Sequence, residues 1–426
     1  MGTTLQAPPF SLALDSALWS SELLGTEQGR AQLTKLHETW LEAGADIVET
    51  CTYQSSLPLF LPHTPPVDAG YTPSALAVCR HTMLAALPLA CRACASSLSP
   101  RKPVAALSLG PYGASLQPGQ EYGGLYPPPF GPSLASPSPS KPASPAHTLA
   151  AHPLDKALAA IRAAAEGEGE EVDGPEAHLA AWHLQRLWDF SASPAWSELG
   201  LLAFETVPVL AEARAIRRAM AVFRTASPPS FSSFLPTAPA SDKPFLISFV
   251  FPRINESTPA ESVRFPDPAP GVASLPSLAA QARLVIAAAL APSPGLAVPA
   301  AVGVNCTSPL HLAEVVRALT EAAGELQAEA GAGMAEGQGQ PWLVLYPDGG
   351  AVYDVHSRTW THPAGLTDER WAKLVADAAA PVVPGAAKEG EGEGVWGGVV
   401  LGGCCKAGPS AIRALSEEVR RRGWRA

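Results

Sequence analysis

The sequence "VVLGGCCKAGP", residues 399–409, joins an apolar run to two glycines, two adjacent cysteines and a proline. The apolar part is continuous instead of alternating with polar residues, which is typical of a strand buried on both faces of a parallel sheet. Pro409 suits the first turn of a helix. The stretch therefore predicts a buried strand, a sharp turn that carries Cys404 and Cys405, and a helix after it.

Apolar runs of the same kind occur along the whole chain. They are "ADIVETCTY" (45–53), "PVAALSLG" (103–110), "LGLLAFETVP" (199–208), "PFLISFVF" (244–251), "AVGVNCTSP" (301–309) and "PWLVLYPD" (341–348). Helical patterns separate many of them, at 30–43, 76–89, 177–188, 210–223, 278–290, 310–323, 367–378 and 409–421. This alternation indicates an α/β fold with a parallel sheet. Seven runs, with room for an eighth, favour a (β/α)8 TIM-type barrel over an open doubly wound sheet.

The composition indicates one large domain with long loops. The chain has 426 residues, of which 47% are hydrophobic, so we expect a single barrel domain over 1–426. Its 45 prolines cluster in segments that are rich in Pro, Ser, Gly, Ala or Glu and cannot build a core. We predict loop or disordered insertions at 127–153, 227–243, 252–276, 330–340 and 385–394.

The charge and the termini exclude some partners. The net charge is −10, and no Lys/Arg cluster occurs before the last few residues, which argues against nucleic acid and anionic membranes. The first residues lack the features of a signal peptide, and no apolar stretch of membrane-spanning length is free of Gly, Pro or charge. Seven cysteines without a signal predict a reducing, cytoplasmic environment. The oligomeric state is not indicated.

The ends of the predicted strands bring three cysteines together. In such barrels the catalytic groups lie at the carboxyl ends of the strands, where Cys306, Cys404 and Cys405 all fall. Zinc favours thiolate ligands, and three of them leave the open position of a catalytic site. Gly402 and Gly403 permit the turn that would let adjacent cysteines face one ion. The alternative is that the cysteine pair is small apolar filler.

Three thiolates on Zn²⁺ suit a particular reaction. A substrate thiol can enter as the fourth ligand, and the metal keeps it deprotonated and nucleophilic at neutral pH. The resulting negative centre would attract a cationic electrophile. Alkyl transfer from a sulfonium or ammonium donor fits this charge balance.

The motifs carry a family resemblance. "GADIVETCTYQSS", "SLGPYGASLQPGQEYGGLY", "LLAFETVP", "GVNCTSP", "LYPDGG" and "LGGCC" resemble, in this order, the motifs of the homocysteine S-methyltransferase family. The resemblance implies a zinc-dependent barrel that methylates homocysteine to methionine. It implies zinc ligation by Cys306, Cys404 and Cys405, and a Glu205 carboxylate that holds the amino group of homocysteine.

Two softer candidates and three functions remain open. Asn305 and Thr52 are candidate substrate-binding residues, with a turn role and a packing role as their respective alternatives. The predicted partners are homocysteine and a small sulfonium donor, S-methylmethionine or S-adenosylmethionine. Betaine is the alternative donor, and a non-catalytic zinc-binding barrel is the alternative of another class.

The start of the chain departs from the resemblance. Members of the family usually open with a strand that ends in Asp-Gly-Gly, just before a "GTTL"-like stretch. Here the chain begins "MGTTLQ". We therefore expect that the first strand and its pocket aspartate are missing or truncated, and that the sequence is incomplete at its N-terminus.

Overall fold

One parallel sheet organises the protein. The computed structural model describes residues 1–14, 16–61, 73–132, 154–167, 172–225, 242–253, 263–330, 339–354, 359–361, 365–385 and 394–424. The strands are β1 (Ile47–Glu49), β2 (Val104–Leu109), β3 (Leu201–Val207), β4 (Phe245–Phe249), β5 (Ala301–Asn305), β6 (Trp342–Tyr346), β7 (Val352–Asp354), β8 (Thr359–Thr361) and β9 (Val399–Leu401). β7 and β8 form a separate antiparallel pair, and the other seven strands form the sheet. Each apolar run of the sequence contains one of these seven strands.

Helices connect the strands. They are α1 (Gly2–Leu5), α2 (Glu27–Glu42), α3 (Leu57–Phe60), α4 (Pro73–Leu84), α5 (Ala86–Ser96), α6 (Asp155–Gly167), α7 (Gly174–Ser191), α8 (Leu210–Thr225), α9 (Pro270–Ala273), α10 (Leu278–Leu290), α11 (Leu312–Ala330), α12 (Asp368–Ala379) and α13 (Pro409–Arg421). The helix predicted at 76–89 is in fact two, α4 and α5, which meet at Ala85. The helix at 155–167 was not predicted from the sequence.

The strand order is that of a barrel wall. The order is β1-β2-β3-β4-β5-β6-β9, all pairs are parallel, and each strand lies beside its sequence neighbour in the sheet. A doubly wound sheet would reverse this order at a switch point. The structure thus confirms an α/β fold with a curled, all-parallel sheet of seven strands. Within the described residues β1 and β9 are the two edges, so an eighth strand and closure stay predictions.

Two aromatic side chains in the described parts of the predicted insertions belong to the main hydrophobic core. Phe130 lies in the first of these insertions and Phe265 in the third, and both are buried. Most of 127–153, 227–243, 330–340 and 385–394, and the middle of 252–276, lie outside the described residues. The prediction that these segments are loops or disordered therefore stays a prediction.

One helical stretch is apolar enough to be compared with a membrane span. Ser74–Ser96 has a mean hydropathy of 1.4. It comprises α4 and α5, and the α5 side chains of Leu87, Ala90 and Cys94 are buried in the main hydrophobic core. A core helix passes the same test of length and composition, so the expectation of no membrane partner stays a prediction.

A buried arginine joins two of the outer helices. Arg217 of α8 is only 1% exposed. Its guanidinium donates to the carbonyl oxygens of Ala288 (2.8 Å), Ala291 (2.8 Å) and Ala297 (2.9 Å). The last carbonyls of a helix have no partner within that helix. Arg217 therefore caps the carboxyl end of α10 and fixes the chain that leads into β5.

Arg217→Met should lower the free energy of unfolding by at least about 2 kcal/mol, because buried carbonyl oxygens lose their donors. The matched control is Arg317→Met, which removes an exposed pair with Glu321 (2.9 Å) and should cost less than about 1 kcal/mol. Denaturant unfolding of the two variants measures the difference. Equal effects would contradict the capping role.

Candidate active site

Three cysteine sulfurs meet at the carboxyl edge of the sheet. The Sγ atoms of Cys306, Cys404 and Cys405 all lie within 4.8 Å of one another. Cys306 and Cys404 are paired as a disulfide, and the Sγ atoms of Cys306 and Cys405 are 4.0 Å apart. The structure thus brings the three predicted ligands together, as the strand-end argument requires.

The backbone conformation of the turns after β5 and β9 directs these sulfurs towards one another. Cys306 follows β5 directly and has a left-handed backbone, with φ of 47°. Cys404 donates its N–H to the carbonyl of Pro347 (2.8 Å), and the carbonyl of Cys405 accepts from Gly349 (2.7 Å). The turn after β9 is thereby held against the end of β6.

The glycines before the cysteines permit the turn, as predicted, through close packing at Gly403 and not through a left-handed backbone. Neither Gly402 nor Gly403 has a positive φ; the left-handed residue of this turn is Lys406, with φ of 62°. Gly403 is required by space, because a Cβ there would lie 2.6 Å from the Cβ of Ala407. The glycine lets the turn close tightly, and the strain falls on the residue after the cysteines.

The cysteine triangle fits a thiophilic metal. With Zn–S bonds of about 2.3 Å, tetrahedral geometry puts the sulfurs about 3.8 Å apart. The observed separation of 4.0 Å between Cys306 and Cys405 is close to this value. Reduction of the disulfide would allow the Cys306–Cys404 and Cys404–Cys405 sulfur separations to adopt the same value. Burial raises the pKa of the Cys405 thiol to about 11, so a cation is needed to hold it as thiolate.

Asn305 lies at the centre of a hydrogen-bond network. Its Oδ1 accepts from the backbone N–H of Thr206 (2.8 Å) and from Ser248 Oγ (2.8 Å). Its Nδ2 donates to Thr206 Oγ1 (2.7 Å) and points at Cys404 Sγ at 3.9 Å. The side chain therefore orients the end of β3 and Cys404, and its substrate contact stays a prediction.

Glu205 is buried near the carboxyl end of β3, at the same edge of the sheet as the cysteine cluster. It is 4% exposed, and Ser108 Oγ donates to its Oε2 at 2.8 Å. Tyr346 Oη lies 3.4 Å from the other oxygen. Burial and the nearby carboxyl of Glu49 raise the pKa of Glu205 well above its usual range. A cation that enters this pocket would stabilise the ionised carboxylate.

Thr52 has a structural partner. Its Oγ1 donates to the carbonyl of Ser108 at 2.7 Å and lies 2.6 Å from Thr50 Oγ1. The hydroxyl therefore ties the segment after β1 to Ser108 of β2, the residue whose own hydroxyl donates to Glu205. This is the packing alternative for Thr52, and its role in substrate binding stays a prediction.

A buried carboxylate clamps the loop that follows β2. Glu212 of α8 is fully buried. Its oxygens accept from the backbone N–H of Tyr112 (2.6 Å), from Tyr126 Oη (2.6 Å) and from His183 Nε2 (3.0 Å). The Tyr112 ring stacks on Phe130 at 4.0 Å between centroids. Residues 110–131, which carry Glu121 and Tyr122, are thus held at the carboxyl edge.

Arg186 of α7 fixes the other side of this loop. Its guanidinium is buried and donates to the carbonyl oxygens of Ser55 (3.0 Å), Gly110 (2.8 Å) and Tyr53 (3.1 Å). The turns after β1 and β2 are therefore bound to one cation. The sequence did not reveal Glu212 or Arg186, because both lie within helices among ordinary charged residues.

A comparison with known families decides the class of the protein. The sequence profile described as "Homocysteine S-methyltransferase" matches residues 1–138 and 149–419, almost the whole chain.

The chain belongs to the homocysteine S-methyltransferase family.

It is therefore a methyltransferase. Among curated proteins it is 22% identical to homocysteine S-methyltransferase 3 of Arabidopsis thaliana over 416 residues, 95% of this chain and 84% of that protein. It is 21% identical to homocysteine S-methyltransferase 1 of Brassica oleracea var. italica, over 99% of this chain and 92% of that protein.

Solved structures share the fold of this family member. The oxidized form of the homocysteine methyltransferase MmuM from Escherichia coli has a TM-score of 0.54 and 19% identity, covering 98% of this chain and 93% of that chain. The metallated form of the same enzyme has a TM-score of 0.50 and 18% identity, with the same coverage. At these identities the likeness shows the fold alone.

Glu212→Ala should loosen the loop over the carboxyl edge, because two side-chain donors and one backbone N–H lose their acceptor. We expect faster chymotryptic cleavage within 110–131 and a fall of about 3–5 kcal/mol in the free energy of unfolding, as when one partner of a buried polar group is removed. Glu325→Ala, which removes an exposed partner of Arg283, is the control. A loop equally resistant in both variants would contradict the clamp.

Proposed function

We propose that the protein transfers a methyl group from a small sulfonium donor, S-methylmethionine or S-adenosylmethionine, to the thiol of homocysteine, with Zn²⁺ as its cofactor. The observation that carries the proposal is the cluster of three cysteine sulfurs within 4.8 Å, at the same strand edge as the buried carboxyl of Glu205. The family supports the methyl transfer to homocysteine, and the donor set favours zinc because thiolates are its preferred ligands.

Each residue has a separate part in this proposal. Cys306, Cys404 and Cys405, in reduced form, would hold the ion, which supplies a position where a substrate thiol stays deprotonated. Glu205 accepts the homocysteine ammonium and orients the amino acid. Asn305 keeps Cys404 and the end of β3 in place. A reducing, cytoplasmic environment would keep the thiols available.

A sulfonium is favoured over betaine as the donor. Transfer from a sulfonium expels a neutral thioether, which is a better leaving group than the tertiary amine that betaine would release. Both kinds of donor carry a positively charged methyl-bearing group that suits the acidic surroundings of the site, so betaine is the second candidate. The family membership argues against the non-catalytic barrel.

Reduced wild-type protein should hold about one zinc per chain, and Cys306→Ser and Cys404→Ala should lose it, because three-thiolate sites need every ligand. Elemental analysis after gel filtration measures the content. The matched control is Cys91→Ala with Cys94→Ala, which removes two buried cysteines of α5 and should keep the zinc. Full zinc occupancy in both ligand variants would refute the assignment.

Zinc-loaded protein should convert homocysteine to methionine with a sulfonium donor and much more slowly with betaine. Glu205→Gln should keep its zinc and raise the KM for homocysteine about 10- to 100-fold, the effect of losing one charge-assisted hydrogen bond. The kcat should change little, because the ammonium is held equally in the ground and transition states.

Methionine formation by mass spectrometry, with each donor in turn, tests this function. Turnover with betaine alone would replace the sulfonium donor by the second candidate. No turnover with any of the three donors, at full zinc content, would refute the proposal. An unchanged homocysteine KM in Glu205→Gln would remove the role given to that residue.

A further inference from the structure

Glu121 has a carboxylate oxygen that the described structure leaves unsatisfied. Its Oε2 is shielded from solvent and has no hydrogen-bond partner among the described residues. Burying such an oxygen without a donor costs free energy, more so when it is charged. A ligand that brings positive charge to this position would remove that cost.

The carboxylate lies near the cysteine cluster, in the loop that follows β2. Glu121 interacts electrostatically with the thiol of Cys405 and with the hydroxyl groups of Tyr53 and Tyr122. Tyr53 also interacts with Glu205. Tyr53 therefore lies near two acidic groups, of which Glu205 is proposed to hold the homocysteine ammonium and Glu121 has no assigned ligand.

The loop that carries Glu121 is fixed before any ligand binds. Gln120 donates its N–H to the carbonyl of Gly113 (2.9 Å), and a Cβ on Gly113 would lie 2.9 Å from the Glu121 nitrogen. The Glu212 clamp holds both ends of the same segment. A carboxylate on a fixed loop can bind a cation without a large ordering cost.

An aromatic ring adjoins the carboxylate. The Tyr122 side chain is 45% exposed, and its hydroxyl interacts with the thiol of Cys405. Tyrosine rings attract sulfonium and ammonium groups through their negative faces. The ring and the carboxylate together form an anionic and aromatic corner beside Cys405.

We propose that Glu121 and Tyr122 form the subsite for the positively charged sulfonium of the methyl donor. The proposal rests on the proposed function, because it takes the acceptor thiol to be bound at the cysteine cluster. It assigns the donor to the side of Glu121 and the acceptor to the side of Glu205.

The charge of the donor changes during the reaction, and this determines what Glu121 does. A lone pair of the acceptor thiolate forms the new S–C bond, and the electron pair of the broken C–S bond returns to the donor sulfur. The thiolate becomes a thioether and the sulfonium becomes a neutral thioether. Glu121 therefore attracts the substrate and not the product, which favours exchange of spent donor for fresh donor.

The same reasoning separates KM from kcat. The positive charge is greatest in the bound donor and is already reduced in the transition state. An interaction that is stronger in the ground state lowers KM and does not raise kcat. Loss of Glu121 should therefore weaken donor binding while leaving kcat equal or slightly higher.

Calorimetry of zinc-loaded protein with two probes tests the subsite. S-Methylmethionine and methionine share the same amino acid head, but only the first carries a sulfonium. Wild type should bind S-methylmethionine at least about 10-fold tighter, and Glu121→Gln should lose about 10- to 100-fold of that affinity while its affinity for methionine is unchanged. Tyr122→Ala should lose less, about 2- to 10-fold, and Tyr122→Phe should keep the affinity because its ring remains.

Steady-state kinetics with Glu121→Gln and Glu205→Gln completes the test. The first variant should raise the KM of the donor only, and the second the KM of homocysteine only. The inference is overturned if Glu121→Gln changes the homocysteine KM instead, if it weakens both probes equally, or if wild type fails to distinguish them. Absence of turnover in wild type would refute the proposed function and not the subsite. The calorimetric comparison of the two probes would still test the subsite in that case.

Discussion

The geometry of the site depends on the hydrogen bonds made by the side-chain amide of Asn305. This amide satisfies the backbone and hydroxyl of Thr206 and the hydroxyl of Ser248, which lie at the ends of two other strands. Thr206 and Cys306 both have left-handed backbones, a costly conformation that persists only where the surroundings hold it. Since Glu205 precedes Thr206 and Cys306 follows Asn305, one amide fixes the Glu205 carboxyl relative to the first of the three cysteines.

The acidity of the carboxyl edge explains why its ligands should be cations. Glu121, Glu205 and Asp348 lie there with the cysteine thiols, and burial raises the pKa of Asp348 to about 6. A nearby positive charge stabilises the ionised form of each of these acidic groups. A metal ion, an ammonium and a sulfonium would each neutralise a different part of this edge, so the proposed substrates and cofactor complete its charge balance together.

The sequence was a good guide to whatever depends on local pattern. Continuous apolar runs located all seven strands of the sheet, and the strand-end rule brought Cys306 to Cys404 and Cys405. It could not find interactions between side chains far apart in the chain, such as the clamp of Glu212 on Tyr112, 100 residues away. It could not say which property of the glycines before Cys404 the turn uses, because close approach and a left-handed dihedral angle look the same in a sequence.

The clamp on Tyr126 has a consequence for how this chain can vary. The segment after residue 132 begins just beyond a tyrosine hydroxyl bound to a buried carboxylate and an aromatic ring stacked on Tyr112. We expect changes in chain length beyond this anchor to leave the loop at the carboxyl edge in place. The chain just beyond residue 132 is therefore a place where we expect insertions to be tolerated. A reporter domain could be inserted there without disturbing the cysteine site.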